Sequence, residues 1–252
     1  MQGNGRVKTQ VLSDLHLEHH RDDGDSMIAS LDFEGADLVV LAGDIVCFGA
    51  RRTAFEKMQA LCAKTAAEVL YLPGNHEYYG TSTRYVDDCL AQLELKIKNL
   101  TVLGSGKIFQ LAGHRFLGDT LWFPDDPLNS VYAPGLNDFA LIEGFVPWVY
   151  DRHIACRTIL EQELRERDIV VTHHLPSPSL IATAFVGSPL NRFFASDLTD
   201  LILERGPALW ICGHTHCSID TTIGQTRILC NPFGYPREKQ AMLFNPRLIV
   251  EM

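Results

Sequence analysis

Five short clusters of histidines and carboxylates fall in one order along the chain: Asp14-Leu15-His16, Gly43-Asp44, Gly74-Asn75-His76-Glu77, His173-His174 and Gly213-His214-Thr215-His216. Two carboxylates (Asp14, Asp44), an amide (Asn75) and four imidazoles (His16, His173, His214, His216) make a mixed oxygen and nitrogen donor set. Such a set suits manganese, iron or zinc and needs no thiolate. Two divalent ions ~3.5–4 Å apart that share a carboxylate lower the pKa of a water between them, and the resulting hydroxide attacks phosphorus in line. Two aspartates and one hydroxide bring three negative charges against four positive ones. The centre therefore stays net positive and attracts phosphate.

Side chains this far apart in sequence meet only if the fold gathers them, and the flanking segments say how. Val7 to Leu12 reads as a strand ended by Ser13-Asp14, and the run 38–42 (LVVLA) stops at Gly43-Asp44. Helical spacing of Ala54, Met58, Leu61 and Thr65 between Arg51 and Ala67 leads into a strand at 69–72, closed by Pro73-Gly74. A second helix is predicted from Ser82 to Leu95, then an antiparallel section of short strands near 100–103, 107–111 and 115–121. Trp122 to Pro147, rich in Pro, Asp, Asn and Gly, reads as a surface excursion that could shape a pocket. A helix from about Pro147 to Arg167 precedes a strand running into His173, and a short helix from Asp197 to Glu204 precedes a strand at 209–212 before the last cluster. Ile219 to Val250 reads as short strands with turns at Gly224, Pro232-Phe233-Gly234 and Asn245-Pro246. Each cluster thus sits at a strand end, where open α/β sheets collect ligands. Glycines 43, 74 and 213 each precede a proposed ligand, which fits a chain that turns sharply and brings backbone close to an ion.

The bulk composition narrows the setting. A chain of 252 residues with 46% hydrophobic content can build one large α/β domain, taken here as 1–252. A formal charge of -9 argues against attachment to nucleic acid or membrane by a general positive surface, and leaves room for an anionic substrate at a local cationic site. No run approaches the ~18 apolar residues of a membrane span, and no secretory leader is seen. Seven cysteines without a C-x-x-C pair fit reduced thiols in a cytoplasm. The acidic run Asp22-Asp23-Gly24-Asp25 lacks the remaining positions of a calcium loop and reads as solvated. No feature of the sequence sets an oligomeric state.

In order and spacing the clusters resemble the calcineurin-like metallophosphoesterases, whose pattern D-x-H, G-D, G-N-H-[DE], H, G-H-x-H runs here across residues 14–216. The resemblance implies an α/β fold of four αββα layers, a two-sheet β-sandwich flanked by helices. It implies a first ion held by Asp14, His16, Asp44 and His216, a second completed by Asn75, His173 and His214, with Asp44 bridging, and His76 beside the leaving group as general acid. Asp44 and His76 are thus the expected catalytic residues, and manganese is the metal expected foremost in vitro. The Ser/Thr phosphatase element G-D-x-x-D-R-G reads Gly43-Asp44-Ile45-Val46-Cys47-Phe48-Gly49 here, and no arginine precedes Gly74. Loss of both arginine forks removes the bidentate grip on a phosphate dianion. The expected substrate is therefore a small phosphodiester or nucleotide-like molecule. The alternatives are a phosphomonoesterase or Ser/Thr-type protein phosphatase, a nuclease, and a non-catalytic scaffold of the same fold.

Any one of these histidines alone would read as a satisfied core or surface imidazole; five clusters at five strand ends do not. Around them, His174 is expected as a pocket or supporting residue, and Arg192 as a phosphate contact replacing the missing arginines. His19, with His20, could stand at the pocket mouth. Phe185, Phe193 and Phe194 either stack on a substrate or pack beneath their loop. Cys212, on a strand, is expected to be buried as a small hydrophobe.

Overall fold

The computed structural model describes residues 5–49, 53–238 and 242–252. Three five-residue strands form the centre of the first sheet: β1 (Lys8–Leu12), β2 (Leu38–Ala42) and β3 (Glu68–Leu72), each parallel to the next. All five residues of β2 are buried, because both faces of a central parallel strand are covered. Between these strands lie the short α1 (Asp25–Ser30) and α2 (Ala54–Ala63). After β3 the two-residue strand β4 (Thr81–Ser82) leads into α3 (Thr83–Lys96), whose first turn is capped by the Ser82 hydroxyl accepting from the Tyr85 N–H at 3.3 Å.

The region predicted as antiparallel divides between the two sheets. β5 (Leu100–Val102) adds parallel to β3, whereas β6 (Phe109–Leu111) and β7 (His114–Leu117) form a hairpin on the second sheet. The reason is α3: as a crossover helix it returns the chain in the direction of β3, which only parallel pairing accommodates. Next come α4 (Asn129–Tyr132), α5 (Asn137–Leu141), β8 (Ile142–Glu143, paired with β4) and the long α6 (Phe145–Glu163). β9 (Ile169–Val171), α7 (Thr199–Arg205), β10 (Leu209–Cys212), β11 (Ile219–Ile223), β12 (Thr226–Cys230) and β13 (Ile249–Glu251) complete the described elements. The first sheet runs β13-β1-β2-β3-β5 and the second β11-β12-β10-β9-β7-β6.

Strand alternation builds the layers. Val11, Val40 and Leu70 point between the sheets and meet Phe116, Val171 and Ile211 of the second sheet. The opposite faces, Val39, Leu41 and Val69 on one side and Val170, Trp210 and Ile228 on the other, pack against α2 and α3 or against α6 and α7. The result is the four-layer αββα sandwich expected from the sequence.

Residues 122–147 are the predicted surface excursion only in part: most of the segment is exposed and Gly135, Leu136 and Asn137 line the cleft over the centre, but several of its aromatic rings are anchored in the core. Trp122 and Phe123 are essentially inaccessible, Phe145 is 3% exposed, and these rings join Phe139, Trp148 and Phe193 in one aromatic cluster. Proline and aspartate hid the pattern, since the buried residues follow irregular turns rather than any helical or strand period. Phe123→Ala is expected to lower stability by about 3–5 kcal/mol in urea unfolding, as for an emptied core site; a loss below about 1 kcal/mol would restore the surface reading.

Candidate metal centre

Asp14 and Asp44 lie two residues past the ends of β1 and β2, and Asn75 three past β3. On the second sheet His173 and His214 each lie two past the ends of β9 and β10, which are parallel neighbours. The backbone is strained at these points. Asp14, His16, Asp44, His214 and His216 all have left-handed φ, between 44° and 67°. Such conformations cost on the order of 1–3 kcal/mol each and persist only where the surroundings hold them. Here the Asp14 N–H donates to the Gly43 carbonyl and the His16 N–H to the Asp44 carbonyl, both at 2.9 Å. Asp44 Oδ1 accepts the His76 N–H at 2.9 Å, and Asp14 Oδ1 accepts the His214 N–H at 2.9 Å. The expected close approach is present at Gly74, where a Cβ would stand 2.2 Å from Asp44 Oδ1 and 2.7 Å from the His173 ring.

The donor atoms fall into two groups, Asp14 with His16 and His216, and Asp44 with His173 and His214, each with ligand atoms within 4.8 Å of one another. Asp44 Oδ2 stands between them, 3.7 Å from His16 Nε2 and 3.3 Å from His173 Nε2. Asn75 Oδ1 is 3.2 Å from the same His173 nitrogen. A hydrogen bond fixes the tautomer of His173. His173 Nδ1 is 2.9 Å from the Ala42 carbonyl, which can only accept, so Nδ1 carries hydrogen and Nε2 is the free donor atom. His216 Nδ1 is 2.7 Å from Glu238 Oε2, and its Nε2 is 2.9 Å from His16 Nε2. Asp14 Oδ2 and His214 Nε2 are buried without any hydrogen-bond partner. Buried polar atoms left unpaired are costly unless a cation takes them. The residues therefore fit a metal-binding role. Burial opposes charge on His173, yet the adjacent Asp44 carboxylate raises its pKa to about 10.

Several residues shape the site without being among the expected ligands; Glu77 is within one of the motifs, whereas Asp138, Glu18 and Tyr235 lie outside them. The buried Glu77 carboxylate accepts the N–H of Gly74 at 2.7 Å, of Asp44 at 3.0 Å and of Ile45 at 2.8 Å, and the Tyr71 hydroxyl at 2.8 Å. Asp138, fully buried, accepts from Asn75 Nδ2 at 2.9 Å and from the Tyr79 hydroxyl at 2.6 Å. That contact turns the Asn75 amide so that its oxygen faces the centre. Glu18 Oε1 lies 3.2 Å from His76 Nδ1 and 3.4 Å from His16 Nδ1. Burial raises the Glu18 pKa, but contacts with His16 and His76 prevail and hold it at about 2. His76 behaves conversely: burial lowers it, and Asp44 with Glu18 brings it up to about 8. The Tyr235 hydroxyl is 3.2 Å from His76 Nε2.

Two expected substrate contacts are corrected. Arg192 does not reach the centre; its guanidinium is committed to Asp126 Oδ1 at 2.8 Å and Asn129 Oδ1 at 3.3 Å, over the Tyr132 ring. His174 is buried behind His214, ring centroids 4.2 Å apart, with Nδ1 donating to the Thr120 carbonyl at 3.1 Å. Burial and His173 lower its pKa to about 3, so it is a neutral packing ring rather than a pocket residue. His19 is half exposed beside Tyr235, whereas His20 is stacked on Phe233. Phe185 and Phe194 line a cleft over the centre, and Phe193 packs beneath. Cys212 is buried, as expected.

An αββα sandwich with these donors at its strand ends has the architecture of the metallophosphoesterases. The sequence profile of the calcineurin-like phosphoesterase family matches residues 8–218, and the chain belongs to that family. Its members act on phosphoesters with divalent metal ions. The chain is 28% identical over 277 aligned positions to the uncharacterized protein L509 of Acanthamoeba polyphaga mimivirus, covering 96% of each. Among solved structures, phosphopantetheinyl hydrolase from Mycobacterium tuberculosis superposes with a TM-score of 0.74 at 17% identity, over 99% of this chain and 96% of that one. The protein TT1561 of Thermus thermophilus superposes with a TM-score of 0.59 at 13% identity, over 98% and 99%. Asp138→Ala frees the Asn75 amide to rotate and is expected to weaken manganese binding roughly 10–100-fold in a chelator competition; unchanged affinity would remove Asp138 from the support of the site.

Proposed function

We propose that the protein hydrolyses small-molecule phosphodiesters at a centre of two divalent ions. The observation that carries this reading is the position of Asp44 Oδ2 between the imidazoles of His16 and His173, with a separate donor group on either side. Asp14, His16, Asp44 and His216 hold one ion, and Asn75, His173 and His214 complete the other, with Asp44 shared. Two such ions, manganese foremost in vitro, with iron and zinc as alternatives, lower the pKa of a water and neutralise phosphoryl oxygens. The protein's own part is to fix the donors through Glu77, Asp138 and Glu238, and to supply a proton.

His76 lines the cleft outside the donor groups built on Asp14 and on Asp44, in a third cluster with His16, Glu18 and His19, and its place in the cleft supports its role as the acid that protonates the departing alcohol. Where the Ser/Thr phosphatase branch places an aspartate, Cys47 donates its thiol to the Tyr79 carbonyl at 3.2 Å, so it does not orient His76. Glu18 takes that position instead through its contact with Nδ1, keeping the imidazole turned and protonated. Phe48 is buried and Arg192 is tied elsewhere, so among the described residues no arginine fork lines the cleft to match a phosphate dianion. This favours a diester, with one negative charge, over a phosphoprotein. Seven free cysteines, and no described helix long and apolar enough to cross a membrane, support a reducing, cytoplasmic setting.

Manganese-loaded protein is expected to cleave bis(p-nitrophenyl) phosphate faster than p-nitrophenyl phosphate; no turnover of either with manganese, iron or zinc would defeat the proposal. Asp44→Asn should abolish metal loading and turnover together. His76→Ala should keep the metal and lower kcat by ~10²–10⁴-fold for alkyl leaving groups. Glu18→Gln should follow His76→Ala in direction, with about tenfold loss on an alkyl leaving group and little on p-nitrophenolate, which departs without protonation. Equal losses on both leaving groups would instead assign Glu18 to His16.

A further inference from the structure

The cleft above the centre has a volume of about 560 Å³ and is walled on one side by Leu136, Ile181, Phe185, Leu190 and Phe194. No lysine or arginine occurs among the described residues of its wall; apart from histidines, the charged side chains there are Asp44 and Glu238. The nearby cation of residues 175–196, Arg192, is held by Asp126 and Asn129. Two of the polar wall groups are engaged within the protein. Asn191 Nδ2 donates to the Phe185 carbonyl at 2.8 Å, and the Tyr79 hydroxyl donates to Asp138 at 2.6 Å. At the rim, Phe185 and the adjacent Val186 are 57% and 71% exposed.

We propose that this cleft receives an uncharged, largely apolar ester arm, so that the substrate is a phosphodiester carrying its single charge at the reacting phosphorus. The inference rests on the phosphodiesterase reading above and names its substrate class. One anionic group finds compensation at the centre. A second carboxylate or phosphate further along the cleft faces Glu238 and an apolar wall, loses its water and gains no counterion among the described residues of that wall. An alkyl or aryl arm gains about fourfold in binding for each methylene fully buried. A nucleoside arm stacks on Phe194 only at the cost of burying the polar groups of its base and sugar against Leu136, Ile181 and Leu190.

The test uses four diesters sharing p-nitrophenolate as leaving group, whose second arm is methyl, n-hexyl, 5-carboxypentyl or thymidine-5′-yl. In each, water forms the new phosphorus–oxygen bond, the aryl P–O bond breaks, and the products are p-nitrophenolate, a phosphate monoester and protons. With manganese-loaded protein, kcat/KM for the hexyl ester is expected to exceed that for methyl by at least about tenfold and to exceed those of the carboxypentyl and thymidine esters. Leu136→Lys should raise the carboxypentyl ester above the hexyl one, and Phe185→Ala, at an exposed position, should cut the hexyl advantage. Equal rates for methyl and hexyl, or a carboxypentyl or thymidine ester ahead of hexyl, would overturn the proposal while leaving phosphodiester hydrolysis intact. If no ester is cleaved, the phosphodiesterase reading fails on its own, and calorimetry with methylphosphonate and hexylphosphonate decides the cleft's preference: tighter binding of hexylphosphonate upholds it, equal binding refutes it.

Discussion

The Glu77 carboxylate is the constraint on which the site is built. Both of its oxygens face backbone N–H groups, Gly74 and Asp44 on Oε2, Ile45 and Val46 on Oε1, with the Tyr71 hydroxyl closing the set. One buried anion thus ties the turn after β2 to the turn after β3. It fixes the distance from Asp44 to Asn75, residues from two different turns of the site. Hydrogen bonds to a charged acceptor contribute about 1.5–3 kcal/mol each. Several together offset both the burial of the carboxylate and the left-handed backbone of Asp44, which costs on the order of 1–3 kcal/mol. Burial and Asp44 raise Glu77 to about 7, while the Ile45 N–H opposes them.

The same logic extends across the sandwich. His173 follows a strand of the second sheet and donates to the carbonyl of Ala42, the last residue of β2 in the first. Asp14, from the first sheet, accepts the backbone N–H of His214, from the second. An isolated bridge between Ser13 and Pro232 adds a third crossing. The donor groups are therefore also the seam between the sheets, where strand ends diverge and apolar interdigitation stops. Metal binding would close this seam from within, so the ligand free energy is also folding free energy. Residues that look over-constrained for structure alone, such as five left-handed ligands, are reasonable if the seam must hold cations at fixed separation.

The sequence made some of this readable and hid the rest for identifiable reasons. Continuous apolar runs ending on Asp14, Asp44, His173 and His214 reveal parallel strands buried on both faces, and the ligands inherit their positions from those strand ends. Glu77 was quoted in a motif, yet its function is invisible there because it acts on backbone N–H groups, which have no sequence signature. Asp138 lies on the short α5 and Tyr235 in an irregular turn, and only tertiary packing brings them to Asn75 and His76. Arg192 misled because charge and loop position say nothing about the competing carboxylate of Asp126. Trp122 and Phe123 misled similarly, since burial in an irregular segment leaves no period to detect.

Arg192 also connects the architecture of the cleft to its chemistry. Its guanidinium joins residues 176–196 to residues 124–132 through Asp126 and Asn129. These are two of the segments that wall the space above the centre, one supplying Phe185, Leu190 and Phe194, the other running on to Gly135, Leu136 and Asn137. A cation spent on holding two walls together cannot also grip a phosphate. With that arginine withdrawn, attraction for the substrate's charge concentrates at the strand ends, and the walls are free to be apolar. A low-dielectric wall in turn strengthens the field of whatever cations the donors hold, because fewer waters screen it. On the proposed reading the division of labour is physical: cations held by Asp44 and its neighbours would take the substrate's charge at the bottom of the cleft, and the apolar wall above would select shape and hydrophobicity.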